Sequence, residues 1–330
     1  MLGADGNFFG TSYQGGTFRR GTVFRISTSG ALTTLASFSN GSEGGHLAGN
    51  LVQGSDGDLF GTTYKGGMQG YGTVFRVMTN GELTSLISFS YTNGAFPYAG
   101  LTRGADGNFY GVTTGGGLYD GGTAFRITST GLLTKLYSFT GGDDGGNPRS
   151  ALLQAADGNF YGTTANGGTY GQGTVFAMAP DGTLLTLVQF YGYKGANPQA
   201  ALVEDANGNL YGTTQNGGTR GRGVIFRFNI GSAPRITSQP ANQAVFAGAN
   251  VAFSVSVLGR VPMSYQWQKD GANLSDGGKI SGSSARVLNL NSVATNDAGI
   301  YSVIVTNALG SVTSVGALLA VTSSPPYIVL

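Results

Sequence analysis

A repeat of about fifty residues dominates the first two thirds of the sequence. The segment ADGNFFGTS at residues 4–12 recurs with small changes at residues 55–63, 105–113, 156–164 and 206–214. Successive copies therefore start 50 or 51 residues apart. Five matched copies restrict the chain to a repeat architecture, and a period of roughly 40–50 residues is typical of propellers and comparable arrays.

Each copy contains the signals of four short antiparallel strands. In the third copy, the dipeptide Asp106-Gly107 is a favoured signal for a tight hairpin. Strands are predicted around it at residues 99–102, 109–113, 123–128 and 133–139. Four-stranded units of this length are the blades of β-propellers. The many glycines, 59 in the chain, are interpreted as turn and close-approach residues.

The two ends of the array duplicate each other. The first copy contains only its last three strands, and the fifth stops after its third strand near Phe228. A ring usually closes by combining complementary strands from both ends. The prediction is therefore an all-β, propeller-like array of about five repeats over residues 1–231. It forms either an imperfectly closed ring or, as we favour, part of a longer array with a free edge.

The repeat resembles the GloVer-type tandem repeat of bacterial secreted "choice-of-anchor" proteins. The resemblance is carried by the DGNFYGTT, GG, GTVFR and LTxLxSF blocks over roughly residues 3–229. It implies an extracellular or cell-surface location, and it implies no known reaction. Such proteins generally have a secretion signal and a C-terminal anchor. Neither is recognised in this sequence, so we expect both to lie outside it.

Residues 232–323 look like an immunoglobulin-like β-sandwich. Trp267 stands where such folds place a buried tryptophan, and Tyr301 lies in a DAGIY segment that matches the tyrosine corner. Valines occupy the two usual cysteine positions, and we predict that Val255 and Val303 face each other in the core. Residues 324–330 are interpreted as a linker or truncated tail.

Composition excludes several classes of function. The chain has no cysteine and a single histidine, His46, which excludes Cys–Zn sites, iron–sulfur clusters and His-rich metal centres. The net charge of +2 does not suggest a nucleic-acid partner. No apolar run is long enough for a membrane span, so no direct membrane insertion is expected. His46 is aligned with a loop position that holds Pro97 and Pro198, which indicates a loop substitution.

The loops opposite the Asp-Gly turns are rich in aromatic residues. Such rings can stack on sugars, and arginines can bind acidic groups through two hydrogen bonds. The alternative is that the rings pack between the blades. The candidate ligand-binding residues are Tyr64, Tyr71, Tyr98, Tyr119, Tyr170, Tyr193, Arg149 and Arg220.

Acidic residues fall into two groups. The aspartates of the Asp-Gly turns are interpreted as turn formers. Acids without an equivalent in other copies are the candidates for catalysis or metal binding; these are Glu43, Asp58, Asp120, Asp143, Asp144, Glu204 and Asp205. Asp143 and Asp144 are a candidate calcium site, although they lack the spacing of an EF-hand loop. No other cofactor is expected.

The function predicted from these features is a non-catalytic binding or adhesion module. Its partner would be a surface polysaccharide or a surface protein, bound by equivalent loops. One alternative is a polysaccharide-active enzyme that uses loop carboxylates, since a glycosidase needs two of them beside the scissile bond. The other alternative is a structural stalk without a ligand.

Overall fold

The computed structural model describes residues 1–229, 233–260 and 262–323. The described part of the chain is all-β, and its helices are two single 3₁₀ turns, at Gly192–Lys194 and Thr295–Asp297. Short strands follow each other throughout, as the absence of helical periodicity predicts.

The chain divides into two compact units. One contains Met1–Asp205 and Leu210–Arg227, and the other contains Ala206–Asn209 and Phe228–Leu330. The predicted boundary between residues 231 and 232 and the predicted tail 324–330 lie outside the described residues.

In the repeat unit, each copy forms its own antiparallel sheet. The strands of copies 1 to 3 are neighbours in sequence order, whereas in copies 4 and 5 the first two short strands both pair with the long strand that follows them. The strands of copies 1 to 3 are β1 (Phe8–Ser12), β2 (Thr22–Ile26), β3 (Leu32–Ser37), β4 (Val52–Gln53), β5 (Leu59–Thr63), β6 (Thr73–Val77), β7 (Leu83–Ser88), β8 (Thr102–Arg103), β9 (Phe109–Thr113), β10 (Thr123–Ile127) and β11 (Leu133–Ser138). Those of copies 4 and 5 are β12 (Gly146–Pro148), β13 (Leu153–Gln154), β14 (Phe160–Asn166), β15 (Thr174–Met178), β16 (Leu184–Gln189), β17 (Ala196–Pro198), β18 (Val203–Glu204), β19 (Asn209–Asn216) and β20 (Ile225–Asn229).

The first strand of a copy is short or interrupted. In copy 4, β12 and β13 pair with opposite ends of β14. In copy 3, the strand predicted at residues 99–102 is reduced to β8. Backbone packing explains the loss: a Cβ on Gly100 would lie 2.4 Å from the carbonyl oxygen of Asn50 in the preceding copy. This part of the chain packs against the backbone of copy 2 instead of forming strand hydrogen bonds within copy 3.

Alternate residues of each sheet face the preceding and the following copy. We call these two sides the leading face and the trailing face. Phe60 on the trailing face of copy 2 stacks on Phe109 of copy 3, with ring centroids 4.3 Å apart. Tyr110 stacks in the same way on Phe160 of copy 4, at 4.0 Å. The hydrophobic clusters of this unit accordingly combine two neighbouring copies each.

The second unit is a β-sandwich. Its strands are β21 (Arg235–Ser238), β22 (Gln243–Phe246), β23 (Val251–Ser254), β24 (Ser256–Leu258), β25 (Ser264–Lys269), β26 (Ala272–Asn273), β27 (Ile280–Ser281), β28 (Val287–Leu290), β29 (Gly299–Asn307), β30 (Gly310–Thr313) and β31 (Ala317–Thr322). One sheet has the order β22-β31-β29-β25-β26 with β30 beside β29, another has β23-β28-β27, and β21 pairs with β24.

One hydrophobic core fills the sandwich. Trp267, Tyr301, Val255 and Val303 are all buried in it. Trp267 donates a hydrogen bond from Nε1 to a backbone carbonyl, at 2.9 Å. The Tyr301 hydroxyl donates to the Asp297 carbonyl at 2.8 Å, which is the contact of a tyrosine corner. Burial, together with the nearby Asp297 charge, raises the pKa of Tyr301 to about 12.

Candidate functional site

The loop edge of the repeat unit is built in the same way at each junction between copies. The Gly-Gly loop of one copy binds the loop that enters that copy. At the junction of copies 1 and 2, Gly67 donates its N–H to the Gly41 carbonyl at 2.7 Å. At the next junction, Gly117 donates to the Tyr91 carbonyl at 2.7 Å. Equivalent side chains are therefore presented at regular intervals along one edge.

Glycine is required where these loops cross the strands. A Cβ on Gly44 would lie 2.0 Å from Thr63 Oγ1, and one on Gly145 would lie 2.0 Å from Thr164 Oγ1. Both glycines have a positive φ, 89° and 84°. The interpretation of glycines as close-approach residues holds at these positions.

One loop position of each junction has a left-handed backbone although it is not glycine. It is occupied by His46, Phe96, Asn147 and Asn197, with φ between 53° and 61°. The alignment of His46 with Pro97 was wrong by one residue. Leu47 and Pro97 are the equivalent pair. Each lies against the glycine that immediately precedes a strand of the preceding copy, β2 for Leu47 and β6 for Pro97. His46 therefore corresponds to Phe96.

At the junction of copies 2 and 3, five rings form an aromatic cluster of Tyr64, Tyr71, Tyr91, Phe96 and Tyr98. Phe96 lies at its centre, 5.5 Å from the ring centroid of Tyr64 and 5.7 Å from that of Tyr71. Tyr64 also contacts Tyr98 at 5.8 Å, and Tyr71 contacts Tyr91 at 5.0 Å. Tyr91 and Tyr98 are exposed. The structure thus brings three of the predicted ligand residues together around Phe96, which was not among the predicted ligand residues.

Asp120 holds one side of the aromatic cluster. The Tyr91 hydroxyl donates to Asp120 Oδ1 at 2.7 Å, and the Gly116 N–H donates to the same oxygen at 3.0 Å. The hydrogen bond from Tyr91 lowers the pKa of Asp120 and raises that of Tyr91. Asp120 is therefore an ionised hydrogen-bond acceptor at neutral pH.

At the junction of copies 1 and 2, His46 takes the place of Phe96. Its ring centroid lies 4.9 Å from that of Tyr13, and its Nε2 lies 3.2 Å from Nη1 of Arg20. Partial burial and the positive charges of Arg20 and Lys65 lower its pKa. His46 is therefore neutral at neutral pH and accepts a hydrogen bond from Arg20.

The last two junctions present amides instead of rings. Asn216 donates to Oδ1 of Asn197 at 3.1 Å, and Asn197 lies 3.4 Å from Oδ1 of Asn166. Asn166 donates to Oδ1 of Asn147 at 2.8 Å. We call these four residues the amide ladder. The ladder is not predicted from the sequence, although Asn-Pro recurs at residues 147–148 and 197–198.

The remaining predicted ligand residues lie elsewhere on the loops. Tyr119, Tyr170 and Arg220 occupy the same position of the Gly-Gly loop in copies 3, 4 and 5, and all three are exposed. The rings of Tyr170 and Tyr193 both lie against Tyr191, at 5.1 and 5.6 Å.

Arg149 is exposed and occupies the position in copy 4 that Tyr98 has in copy 3.

Two of the candidate acids are turn residues. Glu43 accepts hydrogen bonds from the Ser39 N–H, at 2.8 Å, and from the Ser39 hydroxyl. Asp144 accepts the same pair of hydrogen bonds from Thr140. At the equivalent turn before copy 3, Asn93 accepts one hydrogen bond from a backbone N–H. The expectation that Glu43 and Asp144 have no equivalents was wrong. Partial burial acts to raise the pKa of Glu43, but the hydrogen bonds from Ser39 outweigh it and lower that pKa.

Protein donors already use both carboxylates of the candidate calcium site. Asp144 also accepts from the Tyr137 hydroxyl at 3.0 Å, and Asp143 accepts from the Thr169 hydroxyl at 2.9 Å. Burial and the charge of Asp144 raise the pKa of Tyr137 to about 12. Within the described ranges, no group of three or more His, Asp or Glu side chains is placed to hold a metal ion.

Glu204 joins two copies. Its Oε2 accepts the N–H of Ala156 in the preceding copy at 3.0 Å, and Gln53 accepts the N–H of Ala4 in the same way at 2.9 Å. Partial burial is the main cause that raises the pKa of Glu204, and the charge of Asp157 adds to it.

Asp58 is buried and forms an ion pair with Arg76. Its carboxylate is thus held by an arginine of the same sheet.

In the described part of the chain, no helix is long and apolar enough to cross a bilayer.

Comparison with known proteins assigns both regions. The pattern of the Gloeobacter/Verrucomicrobia repeat matches residues 1–149 and 103–239, and that of the immunoglobulin domain matches residues 233–307. The human (Homo sapiens) peroxidasin homolog is 36% identical over 92 residues, which cover 27% of this chain and 6% of that protein. The mouse (Mus musculus) protein is 35% identical over 81 residues, or 23% of this chain and 6% of its own length. This chain thus spans only a small part of these relatives.

Solved structures with similarity include the titin M4 domain, at 29% identity and a TM-score of 0.25. The match covers 28% of this chain and 98% of that one. Titin M10 in complex with an obscurin-like 1 immunoglobulin domain is also 29% identical, with a TM-score of 0.27, covering 29% and 99% of the two chains. Because the repeat pattern covers most of the sequence, the chain belongs to the Gloeobacter/Verrucomicrobia repeat family, with an immunoglobulin domain after its repeats.

Proposed function

We propose that this chain is a non-catalytic binding module outside the cell, and that it binds a surface polysaccharide along its loop edge. The observation that carries the proposal is the aromatic cluster, which lies on the same edge as the amide ladder. Aromatic rings stack on the apolar faces of sugars. Asparagine side chains both donate and accept hydrogen bonds, as recognition of sugar hydroxyls requires. Membership of the repeat family and the immunoglobulin domain support an extracellular location.

The repeats and the immunoglobulin domain are of the kind found in non-catalytic binding or structural modules. The contacts of the acids support a binder over a polysaccharide-active enzyme. A glycosidase needs two carboxyl groups that face each other across the scissile bond. Glu43 and Asp144 are held in loop turns, Asp58 is held in an ion pair, and Glu204 is held at a junction.

The proposed architecture is a curved, propeller-like array. Sequential four-stranded sheets that pack face to face support it. So does the close approach of first-strand backbones, at which Gly49 lies against Gly100. Curvature would place the loop edges of all copies along one rim. A long chain molecule could then contact several junctions at once, and weak sites would reinforce one another through their effective concentration.

The test is a glycan-array assay of the whole chain, followed by affinity measurements on any glycan that binds. Replacing Tyr98 and Phe96 with alanine, together, is expected to reduce affinity at least about fivefold, since stacked rings each contribute about 0.5–1.5 kcal/mol. Phe18→Ala is the control, because Phe18 is an exposed ring in the Gly-Gly loop of copy 1, outside the aromatic cluster. It is expected to bind like the wild type.

Equal loss of binding in both variants would contradict the assignment of the aromatic cluster. Binding of a surface protein but of no glycan would contradict the proposed ligand class. A chain that binds neither would favour the stalk, and release of reducing sugar from a polysaccharide would favour the enzyme.

A further inference from the structure

Between neighbouring copies, the trailing face is completely covered. Val23, Val74, Ala124 and Val175 occupy the same trailing-face position in copies 1 to 4, and each has an exposed fraction of 0%. In copy 5 that position is Ile225, which is 82% exposed. Val203, on the same face through its pairing with Tyr211, is 61% exposed. Copy 5 therefore presents an apolar trailing face to solvent.

The opposite end of the array has the complementary feature. Leu59, Phe109, Phe160 and Leu210 are buried leading-face residues. Phe8 is their equivalent in copy 1, and it is 51% exposed. Leu2, which forms a bridge with Phe8, is 62% exposed. Copy 1 thus presents an apolar leading face.

The internal junctions show what covers each face. Every trailing face inside the array is covered by the leading face of the next copy, with a stacked pair such as Phe60–Phe109 or Tyr110–Phe160 in the interface. The two exposed faces carry the same kinds of residue. Tyr211 stands at the position of Tyr110, and Phe8 stands at the position of Phe160.

We propose that two copies of this chain associate head to tail, with the leading face of copy 1 of one chain on the trailing face of copy 5 of the other. The contact continues the internal packing, and Phe8 stacks on Tyr211 of the second chain. Adjacent large apolar side chains on a surface are typical of interaction sites. The chain has only 10% charged residues and a net charge of +2, so electrostatic repulsion opposes association weakly.

Such an interface is heterologous, because two different surfaces meet. After the first contact the two-chain complex retains one free leading face and one free trailing face, so association continues into open chains or closes into a ring. A symmetric dimer, in which identical faces meet, would stop at two chains. The two arrangements therefore differ in how they respond to substitutions on one face.

The test uses sedimentation velocity on the whole chain over a range of concentrations. The wild type is expected to form species larger than the 33.7 kDa monomer, increasingly so as concentration rises. Phe8→Glu and Ile225→Glu are each expected to abolish these species. An equimolar mixture of the two variants is expected to restore a complex that stops at twice the monomer mass, since each variant retains one intact face.

Leu118→Glu is the matched control, because Leu118 is 71% exposed but lies in the Gly-Gly loop of copy 3. It is expected to associate like the wild type. All three positions are exposed, so thermal unfolding of the variants is expected to change little. Glycan binding is measured in parallel, because neither end-face residue belongs to the aromatic cluster, so the two proposals can fail separately.

Several outcomes would overturn the proposal. A wild type that stays monomeric at high concentration would do so directly. If Phe8→Glu still associates alone, trailing faces pair with each other, and if Ile225→Glu still associates alone, leading faces do. A mixture of the variants that remains monomeric would also exclude head-to-tail contact.

Discussion

The two units of this chain stabilise their strands in different ways. The repeat unit has no single core, because its hydrophobic clusters each combine the trailing face of one copy with the leading face of the next. The sandwich has one core around Trp267, shared by both of its larger sheets. In the first unit, stability is a sum over neighbouring copies. In the second, a single site affects every strand.

The largest effect is expected at Trp267. Trp267→Ala removes a fully buried ring and its hydrogen bond, and such changes cost about 3–5 kcal/mol. We expect the sandwich to unfold at much lower denaturant concentration while the repeat unit unfolds as before. Circular dichroism and calorimetry of the whole chain would show one transition shifted and one unchanged.

Phe125→Ala is the counterpart in the repeat unit, since Phe125 is also fully buried. It should shift the other transition and leave the Trp267 fluorescence transition in place. Trp267 is the one tryptophan of the chain, so its fluorescence reports the sandwich alone. If either substitution moved both transitions equally, the two units would be energetically coupled, which would contradict their separate stabilisation.

A medium effect is expected from Gly145→Ala. The new Cβ would lie 2.0 Å from Thr164 Oγ1, which forces the loop away from the strand and costs about 1–3 kcal/mol. Gly141→Ala is a control in the same loop: Gly141 also has a positive φ, 78°, but nothing lies within 4 Å of its Cβ position.

Both variants carry the backbone strain of a positive φ, which costs roughly 1–2 kcal/mol. The excess destabilisation of Gly145→Ala over Gly141→Ala, measured by urea unfolding, therefore reports the close approach alone. Equal destabilisation would show that backbone conformation, and not close packing of the loop on the strand, explains the glycines of this loop.

The smallest effect concerns pH. Burial and the charges of Arg20 and Lys65 hold the pKa of His46 below its ordinary value of 6.5. The unfolded chain therefore binds a proton first as pH falls, so stability is highest above about pH 6.5 and declines as pH falls through the folded-state pKa. The repeat unit should thus lose a little stability between roughly pH 7 and pH 5.5, before the carboxylates titrate.

His46→Phe reproduces the Tyr64–Phe96 pair of the next junction and removes the titrating group. Its unfolding free energy is expected to be flat over the same pH interval. A slope that persists in this variant would assign the pH dependence to another group.

The candidate site was only partly predictable from the sequence. The repeat, its Asp-Gly turns and the resemblance to the family are visible along the chain, and the comparisons confirm the family and the immunoglobulin domain. Tyr64, Tyr71 and Tyr98 were identified as exposed-type rings, but their contact through Phe96 was not. The amide ladder was missed because its members are 19 or 31 residues apart and meet only when strands pair within a copy and neighbouring copies pack.

The sequence by itself determined the strands, the tight turns, the period and the residue types of the buried faces. These properties depend on local conformation and on alternation of apolar side chains, which neighbouring residues set. Only the tertiary structure decided which loop side chains meet and which apolar faces remain exposed. Those properties depend on contacts between residues that are far apart in the sequence, many of them in neighbouring copies, and local side-chain spacing does not encode them.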